Sequence, residues 1–170
     1  KAAGVHENGG VYLHALTWKL AAECMLHRPE KVERIIRQIL PWDHTYAPTC
    51  GEPYMLYNSY FGEETGYRYA TPGQSWRTAS TQWFVKAMLL YVFGVWPELD
   101  GLHIRPCLPP SWKECSVEKD FRGCHYVIHY HQNPEGCSQH SVITADGLPV
   151  EGDLLPWHDG AHITVDVTIG

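Results

Sequence analysis

The segment Phe93-Gly94-Val95-Trp96-Pro97-Glu98 separates two periodicities in the sequence. Upstream of it, apolar residues recur at three- and four-residue spacing. Val11, His14, Ala15, Trp18, Ala21, Ala22 and Met25 mark the buried face of a first helix. Pro29 suits the first turn of a second, whose stripe is Val32, Ile35, Ile36, Ile39 and Leu40 and which Pro41 ends. A third helix is expected from Tyr54 to Phe61, broken by Gly62 and Gly66. The longest should run from about Ser75 to Phe93, with Gly94 as its left-handed cap.

Downstream the period becomes two. His103–Arg105, Ser116–Asp120, His125–His131, Ser138–Thr144 and His162–Thr168 read as strands. Gly123, Asn133-Pro134-Glu135-Gly136, Asp146-Gly147 and His158-Asp159-Gly160 read as the turns between them. Helices first and strands second predict an α+β, multi-domain chain: a helical part over residues 1–96 and an antiparallel sheet or sandwich over 97–170. Four helices do not close a barrel by themselves, so they read as the last part of a larger α/α array. With a start at Lys1, the expectation is a piece of a longer protein.

At 170 residues the chain can bury a real core. A net charge of −6 excludes nonspecific nucleic-acid binding, and the 11 histidines offset it only at mildly acid pH. No stretch approaches the roughly 20 apolar residues of a membrane span; Trp83–Trp96 is too short and carries Lys86. Six cysteines without a C-x-x-C pair are expected as free thiols of a cytoplasmic protein. Seven tryptophans and ten tyrosines suit stacking on sugars and ordinary cores equally. His125, His129 and His131 share one strand face; a strand context without acidic sequence neighbours favours a solvated face over a metal site, and no metal is expected.

Three polar-aromatic clusters at expected helix starts read as the rim of one carbohydrate or phosphate pocket. In His6-Glu7-Asn8-Gly9-Gly10, the glycines let backbone approach a ligand while Glu7 accepts sugar hydroxyls; alternatively Asn8 caps the helix and Glu7 favours its positive end. His14 is either a phosphate donor or a satisfied core histidine. In Gly51-Glu52-Pro53-Tyr54, Glu52 starts a helix or orients a neighbour, and Asn58 beyond it bonds a sugar hydroxyl or decorates the surface. In Gln74-Ser75-Trp76-Arg77-Thr78, the Thr78 hydroxyl and the Ala79 N–H sit where a helix N-terminus binds anions, or simply form a capped turn.

Taken together, these residues resemble one family. The ordered motifs are Glu7-Asn8-Gly9-Gly10-Val11-Tyr12-x-His14-Ala15-x-x-Trp18, Gly51-Glu52-Pro53-Tyr54, Ser75-Trp76-x-Thr78 and Phe93-Gly94-Val95-x-Pro97-Glu98-x-Asp100-Gly101-Leu102-x-Ile104-x-Pro106-Cys107-Leu108-Pro109. They look like the C-terminal part of glycoside hydrolase family 94, the inverting disaccharide phosphorylases. The resemblance implies the end of an (α/α)6 barrel followed by a C-terminal antiparallel β-sandwich, and a cytoplasmic enzyme, often a homodimer. It would cleave a β-glucosidic disaccharide or oligosaccharide with inorganic phosphate, with inversion, to α-glucose 1-phosphate, of the cellobionic acid or the cellodextrin/laminaribiose type, without a cofactor. It also implies roles for matched residues. Glu7, His6 and Asn58 become substrate-binding, and His14, Thr78 and Ala79 phosphate-binding. The family's general-acid aspartate is matched by none of Asp43, Asp100, Asp120 or Asp146 and is expected upstream, which would leave the isolated piece inactive. Ala79 departs from the usual glycine and His6 from the usual lysine. The alternatives are the phosphorylase-like domain of cyclic β-1,2-glucan synthesis and a noncatalytic carbohydrate-binding fragment.

Overall fold

The computed structural model describes residues 1–41, 43, 51–74, 78–133 and 141–170. The chain forms two compact units, Lys1–Ala87 and Met88–Gly170. Helices and sheets are mixed along it, an α+β chain.

In the first unit, α1 (Leu13–Met25) packs against α2 (Pro29–Ile39) and α3 (Ser80–Ala87). β1 (Val11–Tyr12), β2 (Ser59–Tyr60) and β3 (Pro72–Gly73) form a small antiparallel sheet at the entry to α1. α2 follows its sequence pattern: Pro29 lies in its first turn and Val32, Ile35, Ile36 and Ile39 are buried. α1 does not. Its buried residues are Leu13, Thr17, Leu20, Glu23 and Cys24, whereas Val11, Trp18 and Met25 of the expected stripe are exposed. The helix is apolar nearly all round, so two stripes satisfy the same spacing and periodicity cannot choose between them.

The expected third helix over Tyr54–Phe61 is absent. That segment passes from a turn at Tyr54 through irregular backbone into β2, where β1 and β3 offer Ser59 and Tyr60 backbone partners on both sides. Tyr57 and Tyr60 then pack edge to face at 5.6 Å in a core with Leu13 and Met55. The first helical turns after it are 3-10, over Glu63–Arg68. α3 is shorter than expected; residues 75–77 lie outside the described set, and after Ala87 the coil widens into a π-helical turn, Met88–Val92.

In the second unit, β4 (Val95–Pro97) and β5 (Leu102–Ile104) form a hairpin. Beside it in sequence, β6 (Glu114–Phe121), β7 (Cys124–Gln132), β8 (Ser141–Ala145), β9 (Leu148–Pro149) and β10 (His162–Ile169) build a five-stranded sheet. The strand order is β6-β7-β10-β8-β9. Arg122-Gly123 and Asp146-Gly147, all with positive φ, close the two-residue hairpins β6–β7 and β8–β9. The sheet is not antiparallel throughout, as the sequence suggested: β10 lies parallel to β7. A strand that enters beside β7 only after the β8–β9 hairpin has the long connection that parallel pairing needs.

Alternation fixes the faces. Cys124, Tyr126, Ile128 and Tyr130 of β7 point inward with Ile163, Val165 and Val167 of β10. His125, His129 and His131 lie on the opposite face. Acidic neighbours missing from their own strand come from the adjacent ones: Asp120 bonds His125 Nδ1 at 2.7 Å, and Glu114 and Asp166 each stand 3.8 Å from His131. Cys115 and Cys124 are free thiols; Cys50 and Cys137 lie outside the described residues.

One polar cluster, built on the buried His103, ties the β4–β5 hairpin to the loop before Leu155. His103, 6% exposed, bonds Asp153 Oδ1 through Nδ1 at 2.8 Å and Asp100 Oδ1 through Nε2 at 3.0 Å. Glu98 stands 3.9 Å from Nε2, and Arg105 bonds both Glu98 and Asp153. Three carboxylates around two cations favour the imidazolium. Hydrogen bonds to Asp153 and then Asp100 raise the His103 pKa above its ordinary value. The bond from His103 lowers that of Asp100; Asp153 is lowered too, its bonds to His103 and Arg105 outweighing burial.

The sign of the linkage follows. The His103 contribution is complete below the ordinary imidazole pKa and fades as pH rises through the raised one. The Asp100 and Asp153 contributions are complete above the ordinary carboxylate pKa and are lost as pH falls through the depressed ones. Stability of this unit is therefore expected to peak between those ranges and decline on the alkaline side. Thermal unfolding from pH 5 to 9 checks this, and His103→Gln should flatten the alkaline slope.

Candidate active site

The loop before α1 is built by backbone. Gly4 N–H bonds Asn8 O at 2.7 Å, Gly10 N–H bonds His6 O at 2.9 Å, and Gly62 N–H bonds Gly4 O at 2.8 Å. A Cβ on Gly10 would sit 2.7 Å from His6 O, so the tight return demands glycine there. His6 adopts a positive φ, with its ring edge-on to Phe61 at 6.4 Å. Glu7 is exposed and paired with Lys1, whose hydrogen bond holds its carboxyl below the usual range. Asn8 does not cap α1. Its side chain bonds Lys1 O at 3.0 Å, and the residue before the helix is Tyr12, without a side-chain cap.

His14 enters in the first turn of α1. Leu13 N–H bonds Asn58 O at 3.0 Å, so Asn58 is fixed beside that turn. His14 Nε2 and Asn58 Oδ1 are both buried without a hydrogen-bond partner among the described residues. Each such orphan costs about 1–3 kcal/mol unless something bonds it.

α3 brings the third component. Thr78 Oγ1 accepts from Ser80 N–H at 3.0 Å and lies 2.6 Å from Ser80 Oγ. When the Ser80 hydroxyl donates in that pair, the Thr78 proton is left for an incoming anion. Ala79 is exposed, and its carbonyl accepts the first α3 bond, from Trp83 N–H at 3.0 Å. Thr78 also borders a cavity of about 400 Å³ walled chiefly by Leu40, Tyr54, Leu56, Gln82 and Phe84. His14 and Asn58 are not among its lining residues.

The structure thus brings Asn58 to the backbone of the first turn of α1, which carries His14, and brings His14 to α3 through Trp83, whose ring lies 6.0 Å away. His6 turns towards Phe61 and Gly73, and Glu7 towards Lys1, so neither shares these contacts. Glu52 starts no helix; its backbone N–H bonds the buried Tyr57 hydroxyl at 2.8 Å. Arg77 lies outside the described residues. Sequence reading missed Trp83 and Ser80. The His14–Trp18 spacing was a legible i, i+4 pair, but no local pattern reports a ring arriving from α3.

Glu98, Asp100 and His103 bring possible metal-ligating atoms within 4.8 Å of one another, though both ring nitrogens of His103 already engage carboxylates. No helix among the described residues is long and apolar enough to cross a membrane.

Comparison with known proteins identifies the family of this chain. A family model described as "Glycosyl hydrolase 94 superfamily, catalytic domain" matches residues 1–94. The chain is 35% identical over 170 residues to solabiose phosphorylase of Paenibacillus borealis, covering 96% of this chain and 22% of that protein. It is 33% identical to 3-O-beta-D-glucopyranosyl-beta-D-glucuronide phosphorylase of the same organism, over 99% of this chain and 22% of the relative. It is also 34% identical to cyclic beta-(1,2)-glucan synthase NdvB of Rhizobium meliloti, over 74% of this chain and 4% of the synthase. The chain therefore spans about a fifth of the length of the two phosphorylases. With more than half its residues matched by the family model, the chain belongs to the glycosyl hydrolase 94 superfamily.

Proposed function

We propose that this chain carries the phosphate- and glycosyl-contacting part of an inverting glycoside phosphorylase. Its substrate is a β-glucosidic disaccharide or oligosaccharide, of the cellobionic acid or cellodextrin/laminaribiose type, and its product α-glucose 1-phosphate. The observation that carries this reading is the pair of buried, unpartnered polar atoms, His14 Nε2 and Asn58 Oδ1, at the start of α1. An imidazole N–H suits a phosphate oxygen and an amide oxygen suits a sugar hydroxyl. The activities for which the two phosphorylases are named lend support.

In this mechanism a phosphate oxygen attacks the anomeric carbon while an acid protonates the leaving sugar oxygen on the opposite face. Inverting hydrolysis needs a second carboxylate to activate water. Phosphate is already nucleophilic and needs position and charge compensation instead. His14 donates to one oxygen, and Thr78 with the Ala79 N–H holds another at the start of α3. Glu7 and His6 take the sugar side, which requires Glu7 to exchange Lys1 for hydroxyls. The proton donor is not assigned within this chain, since none of Asp43, Asp100, Asp120 or Asp146 matches the aspartate that serves as general acid in the family. Residues 1–96 are read as the end of an (α/α)6 barrel and 97–170 as a β-sandwich domain, within a cytoplasmic homodimer.

The test is product analysis with the full-length protein on β-linked glucobioses and cellobionic acid. Phosphate-dependent α-glucose 1-phosphate is expected; free glucose without phosphate would refute the reading. The synthase match favours a second reading, a phosphorylase-like domain of cyclic β-1,2-glucan synthesis. Preference for β-1,2-glucan over the disaccharides would select it.

A further inference from the structure

We propose that Trp18 and Trp83 are positioning residues for the His14 imidazole, holding it at the angle from which Nε2 meets an incoming phosphate oxygen. This rests on the phosphate-binding role given to His14 above.

A functional imidazole is commonly oriented by a hydrogen bond on its second ring nitrogen. Among the described residues no side-chain hydrogen bond reaches its ring, and Nε2 is buried without a partner. What touches the ring is aromatic. Trp18, one turn further along α1, meets it edge to face at 5.0 Å and 61°. Trp83, from α3, lies tilted against it at 6.0 Å and 37°. The two indoles meet each other at 6.2 Å and 82°, closing a three-ring cluster. The Lys86 ammonium, one turn on from Trp83 in α3, sits 4.8 Å over the Trp83 ring and steadies it in turn.

Core filling does not account for these indoles. Trp18 is 56% exposed and Trp83 36% exposed, while the core of this unit is supplied by Leu13, Leu20, Met55, Tyr57 and the buried face of α2. Rigid rings with two side-chain torsions hold a neighbour at little entropic cost. Trp83 has a second consequence. It links His14 to the helix that Thr78 and Ala79 precede, so one indole sets the spacing of the two halves of the phosphate cradle. Small displacements of such groups are costly in rate.

The experiment compares phosphate and disaccharide KM in the full-length enzyme for His14→Ala, Trp18→Ala, Trp83→Ala, Trp18→Phe and Trp83→Phe. Each Trp→Ala change is expected to raise the phosphate KM by about 10-fold while moving the disaccharide KM less than about 3-fold, and each Phe variant should recover most of the loss. If His14→Ala leaves phosphate dependence intact, the underlying reading fails and the proposal with it. If His14→Ala is selective but the Trp→Ala variants match wild type, or raise the disaccharide KM instead, the positioning role alone is overturned. Should an alanine variant not fold, 19F NMR of wild-type enzyme labelled with 5-fluorotryptophan decides, with the Phe variants giving the assignments. Inorganic phosphate should move both the Trp18 and Trp83 resonances in wild type and neither in His14→Ala; unmoved wild-type resonances would refute the proposal.

Discussion

Replacing His14 with alanine is expected to raise the phosphate KM of the full-length enzyme by about 100-fold, equivalent to about 2.8 kcal/mol at about 1.4 kcal/mol per tenfold. Hydrogen bonds involving charged groups are worth about 1.5–3 kcal/mol, which sets this scale. The disaccharide KM should change less than about 3-fold, because the sugar contacts are assigned to Glu7, His6 and Asn58. Folding should be little affected: Nε2 bonds nothing among the described residues, and the core of α1 is carried by Leu13, Thr17 and Leu20. Steady-state kinetics with each substrate varied in turn, alongside thermal unfolding, separate the two effects. Equal losses on phosphate and disaccharide would remove His14 from the phosphate role.

The second large effect concerns stability. Gly94→Ala is expected to destabilise the second unit by about 3–5 kcal/mol. Gly94 has φ +69, a conformation that L side chains adopt at a cost. An added Cβ would stand 2.1 Å from both the carbonyl carbon and the oxygen of Arg105, and 2.4 Å from Pro106 N. These are backbone atoms, and they cannot swing aside as a side chain can. The same strand is anchored by Arg105 N–H to Gly94 O at 2.8 Å, so relief would sacrifice that bond. Gly147→Ala is the matched control. It has a similar φ of +77 and nothing within 4 Å of the added Cβ, so it isolates conformational strain from the clash. Denaturant unfolding of both variants would give the difference, and equal losses would show that the contact with Arg105 contributes nothing.

How much of this was legible in the sequence depended on whether the deciding interaction was local. The α2 stripe was readable because charged residues fill its other face and Pro29 marks its start. β6, β7 and β10 were readable from alternation, and Gly94 from its place after a helical pattern. The burial of α1 was not, since apolar residues surround it and only tertiary packing selects Leu13 and Leu20 over Val11 and Trp18. The Tyr54–Phe61 segment failed for a related reason: its strand partners lie far away in sequence, at Val11–Tyr12 and Pro72–Gly73. At the candidate site, the motifs singled out His14 and Asn58. Their unmet hydrogen-bonding capacity, and the arrival of Trp83 beside the imidazole, are consequences of packing that no spacing rule contains.

The insertion of β10 between β7 and β8 has a kinetic consequence. The hairpins β6–β7 and β8–β9 share no ladder with each other, and β10 alone joins them, parallel on one side and antiparallel on the other. Each hairpin closes through a two-residue turn and can form early, but neither completes the sheet. Until residues 162–169 dock, the edges of β7 and β8 stay open, presenting unpaired amides and carbonyls together with Tyr126, Ile128, Tyr130 and Ile143 to any other strand nearby. The sheet is therefore completed at its centre by its last strand, and the interval before β10 docks is when these edges are most exposed to intermolecular pairing.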